Sequence, residues 1–302
     1  MTGGAGHAAS GAEIPASRGS LVAASVTVSI AVFALYQAMA LYRTGGAFFY
    51  PLDDVYIHLA MSAEILRGGY GVNPGEFAPA ASSILYPLLL TPFAGTAAHL
   101  YVPLLWNVLA LLGSGALWGL ILAESDTLPR KVSMALAVLG PLGLNIAGVA
   151  FTGMENALHG TVSLMLLLGL LRYLRTGQPG WLLVAGILLG PALRYEGMAL
   201  SLAASGVLLV TGRALVGVLL GVGALAPPAA FALFLKANGA GLLPYSVQSK
   251  VGDGVPEGIS LPQLLLMRMT DNLSEVAGAA LLALLVLLVV LTLRTGGSRL
   301  RL

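Results

Sequence analysis

The sequence predicts an all-α integral membrane protein, folded as one polytopic bundle of about 8 transmembrane helices with interfacial or re-entrant helices in its first outer loop. Of its 302 residues, 57% are hydrophobic and only 9% are charged. Apolar runs of about 20 residues, the length that crosses a bilayer, recur along the chain. None of the polar stretches between these runs is long enough to fold alone.

The composition also argues against two classes of function. The formal net charge is only +2 and no cluster of Lys or Arg occurs, which argues against nucleic-acid binding. The chain contains no cysteine, so it forms no disulfide and performs no thiol chemistry.

The predicted elements begin with a disordered cytoplasmic tail, residues 1–19, followed by a single transmembrane domain, residues 20–302. The first span is predicted at residues 21–42. It contains Ala38-Met39-Ala40, typical of a signal-peptidase site, but its apolar run is longer than that of a signal peptide, which favours an uncleaved anchor. Further spans are predicted at residues 101–123, 132–151, 156–174, 180–193, 197–212, 214–236 and 276–293.

Two longer polar stretches are predicted to be outer loops. The first, residues 43–100, holds the Asp53-Asp54 pair, a helix predicted at residues 55–67 and an Asn-Pro-Gly-Glu turn at residues 73–76. Its apolar run at residues 84–98 is short and contains two prolines, which predicts an interfacial or re-entrant segment and not a span. The second outer loop covers residues 237–275.

The distribution of Lys and Arg orients the bundle. If residues 84–98 do not cross, nine of these residues face the cytoplasm and six face outward, as the positive-inside rule requires. The nine are Arg18, Arg130, Lys131, Arg172, Arg175, Arg213, Arg294, Arg299 and Arg301. The same orientation places four polar clusters on the non-cytoplasmic face of the cell (inner or plasma) membrane: Asp53-Asp54, residues 152–156, residues 194–197 and residues 245–250. A site on that face is therefore expected.

The acid pair has three interpretations. Asp54, or failing it Asp53, could act as a general base, since an ionised carboxylate can take a proton from an acceptor hydroxyl group. Either residue could instead cap the helix that follows. His58 lies one helical turn beyond Asp54 on the same face, so Asp53, Asp54 and His58 could also hold a divalent metal, although such ions usually take more oxygen ligands.

The other clusters also allow a structural and a functional interpretation. Glu155 begins a helix and could be a cap, and Arg194 with Glu196 could be a local ion pair at the interface. Lys250 could be an ordinary solvated lysine, or the cation that a phosphate leaving group needs. Together, on one face, these residues predict a site for an anionic substrate at the boundary between lipid and water.

Four segments carry a resemblance to a known family. They are Asp53-Asp54-Val55-Tyr56-Ile57 with residues 69–76 and 82–90, then Thr152-Gly153-Met154-Glu155-Asn156, then Arg194-Tyr195-Glu196-Gly197, and residues 244–250. In this order they resemble the motifs of GT-C glycosyltransferases, in particular the actinobacterial arabinofuranosyltransferase-like branch. Tyr195 stands where that branch has proline, and Asn156 where it has threonine.

The resemblance implies a membrane glycosyltransferase that uses a polyprenyl-phosphate-linked sugar as donor and a glycan or lipid-linked acceptor of the cell envelope. A carboxylate of the first outer loop would be the base of an inverting transfer. The site residues expected on this interpretation are catalytic Asp54 and Asp53, donor- and phosphate-binding Lys250, Arg194 and Tyr245, and substrate-binding Glu155, Glu196, His58 and Asn73.

Two other functions are compatible with the sequence. Intramembrane acids are typical of ion-coupled transporters, but here the acids gather at one interface and not at mid-bilayer. A catalytically inactive GT-C-like scaffold of a larger enzyme is the second alternative, for which the short chain is the argument.

Overall fold

The described part of the chain is helical. The structure is a computed structural model and describes residues 17–125, 128–245, 261–275, 279 and 283. The α-helices are α1 (Arg18–Arg43), α2 (Asp54–Leu66), α3 (Tyr86–Leu90), α4 (Val102–Ala123), α5 (Arg130–Gly143), α6 (Ile146–Phe151), α7 (Asn156–Thr176), α8 (Trp181–Leu193), α9 (Gly197–Val210), α10 (Ala214–Ala237) and α11 (Leu261–Ser274). Short 3-10 turns occupy Thr91–Phe93 and His99–Tyr101.

Within the described residues, five helical segments are long and apolar enough to cross a membrane, which confirms the helical membrane class. They are Arg18–Arg43, His99–Ala123, Arg130–Phe151, Asn156–Thr176 and Ala214–Ala237. Helices α8 and α9 are apolar but have only 13 and 14 residues. At about 1.5 Å per residue each is shorter than a bilayer core of roughly 30 Å. The span predicted at residues 276–293 lies outside the described residues, apart from residues 279 and 283.

The first helix begins earlier than predicted. Ser17 is its N-cap, and the Ser17 side chain accepts a hydrogen bond from the Ser20 amide at 3.2 Å. The cap extends the helix two residues into the segment assigned to the disordered tail, so the tail boundary at residue 19 is wrong. Residues 1–16 of that tail lie outside the described residues.

The span predicted at residues 132–151 is interrupted. Helix α5 ends at Gly143 and α6 begins at Ile146, and Asn145 between them has φ 51°. Asparagine tolerates this left-handed conformation better than most residues, which explains why the break occurs here. Helix α6 then ends at Phe151, directly before the turn at residues 152–155.

Close contacts at glycine residues show the relative directions of the long helices. A Cβ added to Gly119 of α4 would lie 2.5 Å from the Cα of Val22, and one added to Gly115 would lie 3.1 Å from the Cα of Val26, so α1 and α4 are antiparallel. Such small residues allow helix backbones to approach closely in membranes. Helices α7 and α8 are also antiparallel, since Gly169 meets Leu183 and Arg194 reaches Glu155.

Residues 43–100, which were predicted to be the first outer loop and keep that name below, pack onto one end of this bundle, which we call the loop end. The Tyr86 hydroxyl donates to the Gly153 carbonyl at 2.6 Å and accepts from the Asn107 side chain at 3.1 Å. The Leu85 amide donates to the Ala192 carbonyl at 2.9 Å. The apolar run at residues 84–98 forms only the five-residue α3 and a 3-10 turn, too short to cross, in agreement with the interfacial prediction.

The opposite end, which we call the arginine end, is held by basic side chains. The Arg172 Nε atom donates to Glu124 Oε1 at 3.0 Å, and Arg175 donates to the Glu124 carbonyl. Arg213 donates to the Gly177 carbonyl at 3.0 Å. These contacts join the ends of α4, α7 and α9.

Candidate functional site

A polar cavity of about 340 Å³ lies at the loop end. Its lining includes Asp54, His58, Ser82, Asn156 and Arg194. Asp54, Asn156 and Arg194 come from three of the four polar clusters that the sequence assigns to one face. The structure therefore brings the acid pair's helix, the residue 152–156 turn and the residue 194–197 turn to a common cavity.

Helix α2 presents Asp54 and His58 to this cavity. They are four residues apart and share one helix face. Asp54 is exposed at the first position of the helix, whereas His58 is only 2% exposed. Asp53 is the exposed N-cap residue, but its side chain makes no capping hydrogen bond and it is not among the residues that line the cavity. The capping interpretation therefore gains no support at Asp53.

Glu155 is fully buried, with 0% of its side chain exposed. Its Oε1 atom accepts from the Ser82 hydroxyl at 2.7 Å and from Arg194 Nη1 at 2.8 Å. Its Oε2 atom lies 3.2 Å from His58 Nε2. The side chain makes no capping hydrogen bond to α7, so the helix-cap interpretation is wrong for Glu155. The buried carboxylate instead joins α2, the first outer loop and the α8–α9 turn.

The charge of Glu155 follows from its neighbours. Burial alone raises the pKa of this carboxyl, but the adjacent His58 imidazole and Ser82 hydroxyl outweigh it and lower that pKa to about 2. The carboxylate is therefore ionised at neutral pH and can only accept hydrogen bonds.

Arg194 links this network to the solvent-exposed side of the site. Its Nη2 and Nε atoms donate to the two oxygens of Glu196 at 2.9 and 3.3 Å, which confirms the predicted local ion pair. Its Nη1 atom also donates to Glu155 and to the Asn156 side chain. The guanidinium is thus fixed by three side chains and stays partly exposed, at 17%.

A second, mostly apolar cavity of about 620 Å³ adjoins the polar one. It runs along α7 past His159, Gly160 and Ser163, and its other walls come from α4 and from the α5–α6 segment. Asn156 and Arg194 line both cavities. The polar cavity and the apolar cavity therefore meet at the Arg194 guanidinium and the Asn156 side-chain amide.

Several residues of the two cavities were not assigned a role from the sequence. Ser82 and Asn156 lie in the segments that carry the family resemblance, which was a signal for them. His159 lines the apolar cavity and its Nε2 atom is buried without a partner. The sequence did contain a signal for His159, because a histidine within an apolar helix points to a functional role.

Two predicted site residues, Asn73 and Tyr245, are not among the residues that line the two cavities. The side chain of Asn73 donates to Glu76 at 2.7 Å within an exposed turn and is not among the residues lining either cavity. Tyr245 is exposed, and its amide donates to the Pro79 carbonyl at 3.1 Å, next to Ala80 of the polar cavity. Lys250 lies outside the described residues.

The metal interpretation gains no support from the described ranges. Within them, no three His, Asp or Glu side chains lie close enough together to hold a metal ion. Asp53, Asp54 and His58 therefore do not form such a group there.

No protein-family model, curated protein or solved structure matches the chain. The two adjoining cavities and the charged network between them are thus the features from which a function can be inferred.

Proposed function

We propose that the chain is a membrane glycosyltransferase of the GT-C type. It would move a sugar from a polyprenyl-phosphate donor to a hydroxyl group of a cell-envelope glycan or lipid-linked acceptor, at the non-cytoplasmic face of the membrane. The observation that carries this proposal is that a polar cavity with an acid, an imidazole and a guanidinium adjoins a larger apolar cavity. An amphipathic substrate with a polar head and a long apolar tail matches this pair of cavities.

In this proposal the donor lies across both cavities in a single orientation. Its sugar occupies the polar cavity, beside Asp54 and His58. Its phosphate lies where the cavities meet, because Arg194 lines both and keeps a permanent positive charge. Its first isoprene units lie in the apolar cavity along α7, from which the tail continues into lipid.

Asp54 is the proposed base, and Asp53 is the next candidate. Asp54 lines the polar cavity as the first residue of α2, and its side chain is exposed. The acceptor oxygen attacks the anomeric carbon on the side opposite the phosphate, and its proton passes to Asp54. The bond between the anomeric carbon and the phosphate oxygen breaks, and its electron pair leaves on the polyprenyl phosphate.

The remaining predicted residues take supporting roles in this proposal. Arg194, with Lys250 from the second outer loop, neutralises the departing phosphate, and Tyr245 binds the donor. Glu196 orients Arg194 through its two hydrogen bonds. Glu155 also holds Arg194 through a hydrogen bond at 2.8 Å and does not itself contact substrate, since its side chain is fully buried.

The test is sugar transfer by the full chain in lipid vesicles. Radiolabelled polyprenyl-phosphate arabinofuranose is the first donor, followed by a panel of other polyprenyl-phosphate pentoses and hexoses. Asp54→Asn keeps the size of the side chain and removes the proton acceptor, so transfer should fall at least ~100-fold. The melting temperature should stay unchanged, because the exposed Asp54 is not part of the buried network.

The matched control is Asp53→Asn, which should lower transfer only mildly. If Asp53→Asn abolishes transfer and Asp54→Asn does not, the two acids exchange roles and the enzyme proposal stands. Wild-type rates in both single variants and in the double variant would refute the carboxylate mechanism. Ion-dependent solute uptake into the vesicles, without transfer from any donor, would support a transporter instead.

A further inference from the structure

The hydrogen bonds of Arg194 restrict how it can bind a phosphate. A guanidinium has five N–H donors, and four of those in Arg194 are in use in the structure. Nη1 donates to Glu155 and to Asn156. Nε and Nη2 form the fork that can bind a carboxylate or a phosphate through two bonds, and Glu196 occupies this fork. A phosphate can therefore bind Arg194 in the same bidentate way only when one of these partners leaves.

The exposure of the two carboxylates determines which of them leaves. The Glu155 side chain is 0% exposed, and taking a partner away from a buried carboxylate is costly. The Glu196 side chain is 60% exposed, and an ion pair at such a position contributes little, since water solvates the carboxylate once it is released. Glu196 is therefore the partner that an incoming anion replaces.

The position of Glu196 indicates the kind of anion that replaces it. Glu196 and Arg194 both line the mostly apolar cavity, whereas Glu196 is not among the residues that line the polar cavity. An anion in the place of the Glu196 carboxylate can therefore extend an apolar chain directly into the cavity along α7, past Gly160 and Leu164. This arrangement favours an anion that carries an apolar chain over a free anion.

We infer that Glu196 occupies the position of the donor phosphate and leaves it when the donor binds. This inference rests on the proposed glycosyl transfer and gives Glu196 a second role in it. Before the donor binds, the Glu196 carboxylate fixes the guanidinium in the orientation that a phosphate needs, because both kinds of anion accept from the same fork. The donor phosphate then takes over the hydrogen bonds from Nε and Nη2.

The same exchange bears on the release of the product. After transfer, polyprenyl phosphate remains at Arg194, and the Glu196 carboxylate, only two residues away in the chain, competes with it for the fork. A carboxylate that only oriented Arg194 would instead strengthen the phosphate site throughout the reaction. The two roles therefore predict opposite effects on phosphate binding when the charge of Glu196 is removed.

Binding of geranyl phosphate, which has two isoprene units and no sugar, tests the exchange in the detergent-solubilised full chain. Glu196→Gln keeps the size of the side chain and removes the competing charge, so Kd should fall by up to about 5-fold, the upper range for one exposed ion pair. Glu196→Ala should also lower Kd; if only Glu196→Gln does, the new amide has added a contact and the inference is wrong. Geraniol, which lacks the phosphate, should bind the wild type and both variants equally.

Glu76→Gln is the matched control for charge. Glu76 is exposed in the first outer loop, accepts from Asn73 and is not among the residues that line either cavity. Its replacement removes the same charge from that loop, and Kd for geranyl phosphate should not change. Equal tightening by Glu76→Gln and Glu196→Gln would mean a general electrostatic attraction and would overturn the inference.

Phosphatidylglycerol with two six-carbon chains separates the donor from the phospholipids of the bilayer. Its two chains need more room beside Arg194 than the single chain of geranyl phosphate, so Glu196→Gln should not tighten its binding. A gain as large as that for geranyl phosphate would mean that any lipid phosphate replaces Glu196, and the assignment to the donor would be lost.

Transfer kinetics separate this inference from the proposed function. Where transfer occurs, geranyl phosphate should inhibit Glu196→Gln at a lower concentration than the wild type, by the same factor as the change in Kd. If no donor supports transfer while both Glu196 variants bind geranyl phosphate more tightly, the exchange stands and the transferase proposal falls. If transfer occurs but Glu196→Gln binds geranyl phosphate no more tightly than the wild type, Glu196 only orients Arg194 and the inference is wrong.

Discussion

Glu155 joins three segments of the chain through one buried carboxylate. Its partners Ser82 and Arg194 are 73 and 39 positions away along the chain. Removing a carboxylate from water is costly unless its partners are all in place, so these three segments are expected to assemble together. The site therefore depends on the fold of the first outer loop as much as on the helices.

Arg194 is predicted to matter for stability as well as for substrate. Arg194→Ala leaves Glu155 buried without its guanidinium and should cost roughly 3–5 kcal/mol of unfolding free energy. Arg194→Lys keeps the charge but cannot bond Glu155, Asn156 and Glu196 together, so its loss should be smaller. Unfolding of the detergent-solubilised chain by denaturant gives these free energies.

The matched control for Arg194 is Arg213, which is exposed and donates to the backbone carbonyl of Gly177. Arg213→Ala should cost about 1 kcal/mol, because it removes hydrogen bonds without leaving a buried charge. Equal losses in Arg194→Ala and Arg213→Ala would show that the Glu155 network contributes little to stability.

At the scale of helices, hydropathy predicts which segments are helical better than it predicts whether a helix is uninterrupted. Helices α4, α7 and α10 begin and end within two residues of the predicted spans, since their lengths are set by long apolar runs. The break at Asn145 was not predicted, because it rests on this one left-handed residue within a run that is otherwise apolar. Pro141 and Gly143, just before Asn145, were the local signals for it.

Helix α7 provides a test of the apolar cavity. Gly160 lines this cavity, and a Cβ added there would meet no atom within 4 Å. Gly160→Leu should therefore fill the cavity without disturbing the helix packing. We expect KM for a long-chain polyprenyl-phosphate donor to rise at least ~10-fold, since the side chain displaces apolar contacts of the tail. KM for a donor with a single isoprene unit should change little.

Gly206 of α9 is the control for this substitution. A Cβ at Gly206 also meets no atom within 4 Å, and Gly206 is not among the residues lining either cavity. Gly206→Leu should leave KM for both donors unchanged. If Gly160→Leu also leaves the long-chain donor unaffected, the tail does not occupy the cavity along α7.

At the scale of the whole molecule, the sequence predicted which residues would share one end of the bundle. Asp54, Asn156 and Arg194 stand at helix ends, and alternating helix directions bring those ends together. The burial of Glu155 and the meeting of the two cavities could not be predicted. Both depend on how the first outer loop packs, through contacts such as Tyr86 with Gly153 that no local pattern encodes.

The membrane orientation of the bundle is the last prediction. Helices α1 and α4 are antiparallel, so residues just after α1 and just before α4 lie at the same end. Ala47 and Ala97 are exposed at this loop end, while Gln178 and Ala214 are exposed at the arginine end. By the positive-inside rule, the arginine end is expected to face the cytoplasm.

Single-cysteine variants at these four positions test the orientation, and the cysteine-free chain provides a clean background. In sealed cells, a membrane-impermeant maleimide should label Ala47→Cys and Ala97→Cys. Gln178→Cys and Ala214→Cys should be labelled only after permeabilisation. Opposite behaviour of Ala47→Cys and Ala97→Cys would mean that residues 84–98 cross the bilayer. Labelling of Gln178→Cys from outside, with Ala47→Cys protected, would place both cavities on the cytoplasmic side, where a cell-envelope acceptor could not reach them.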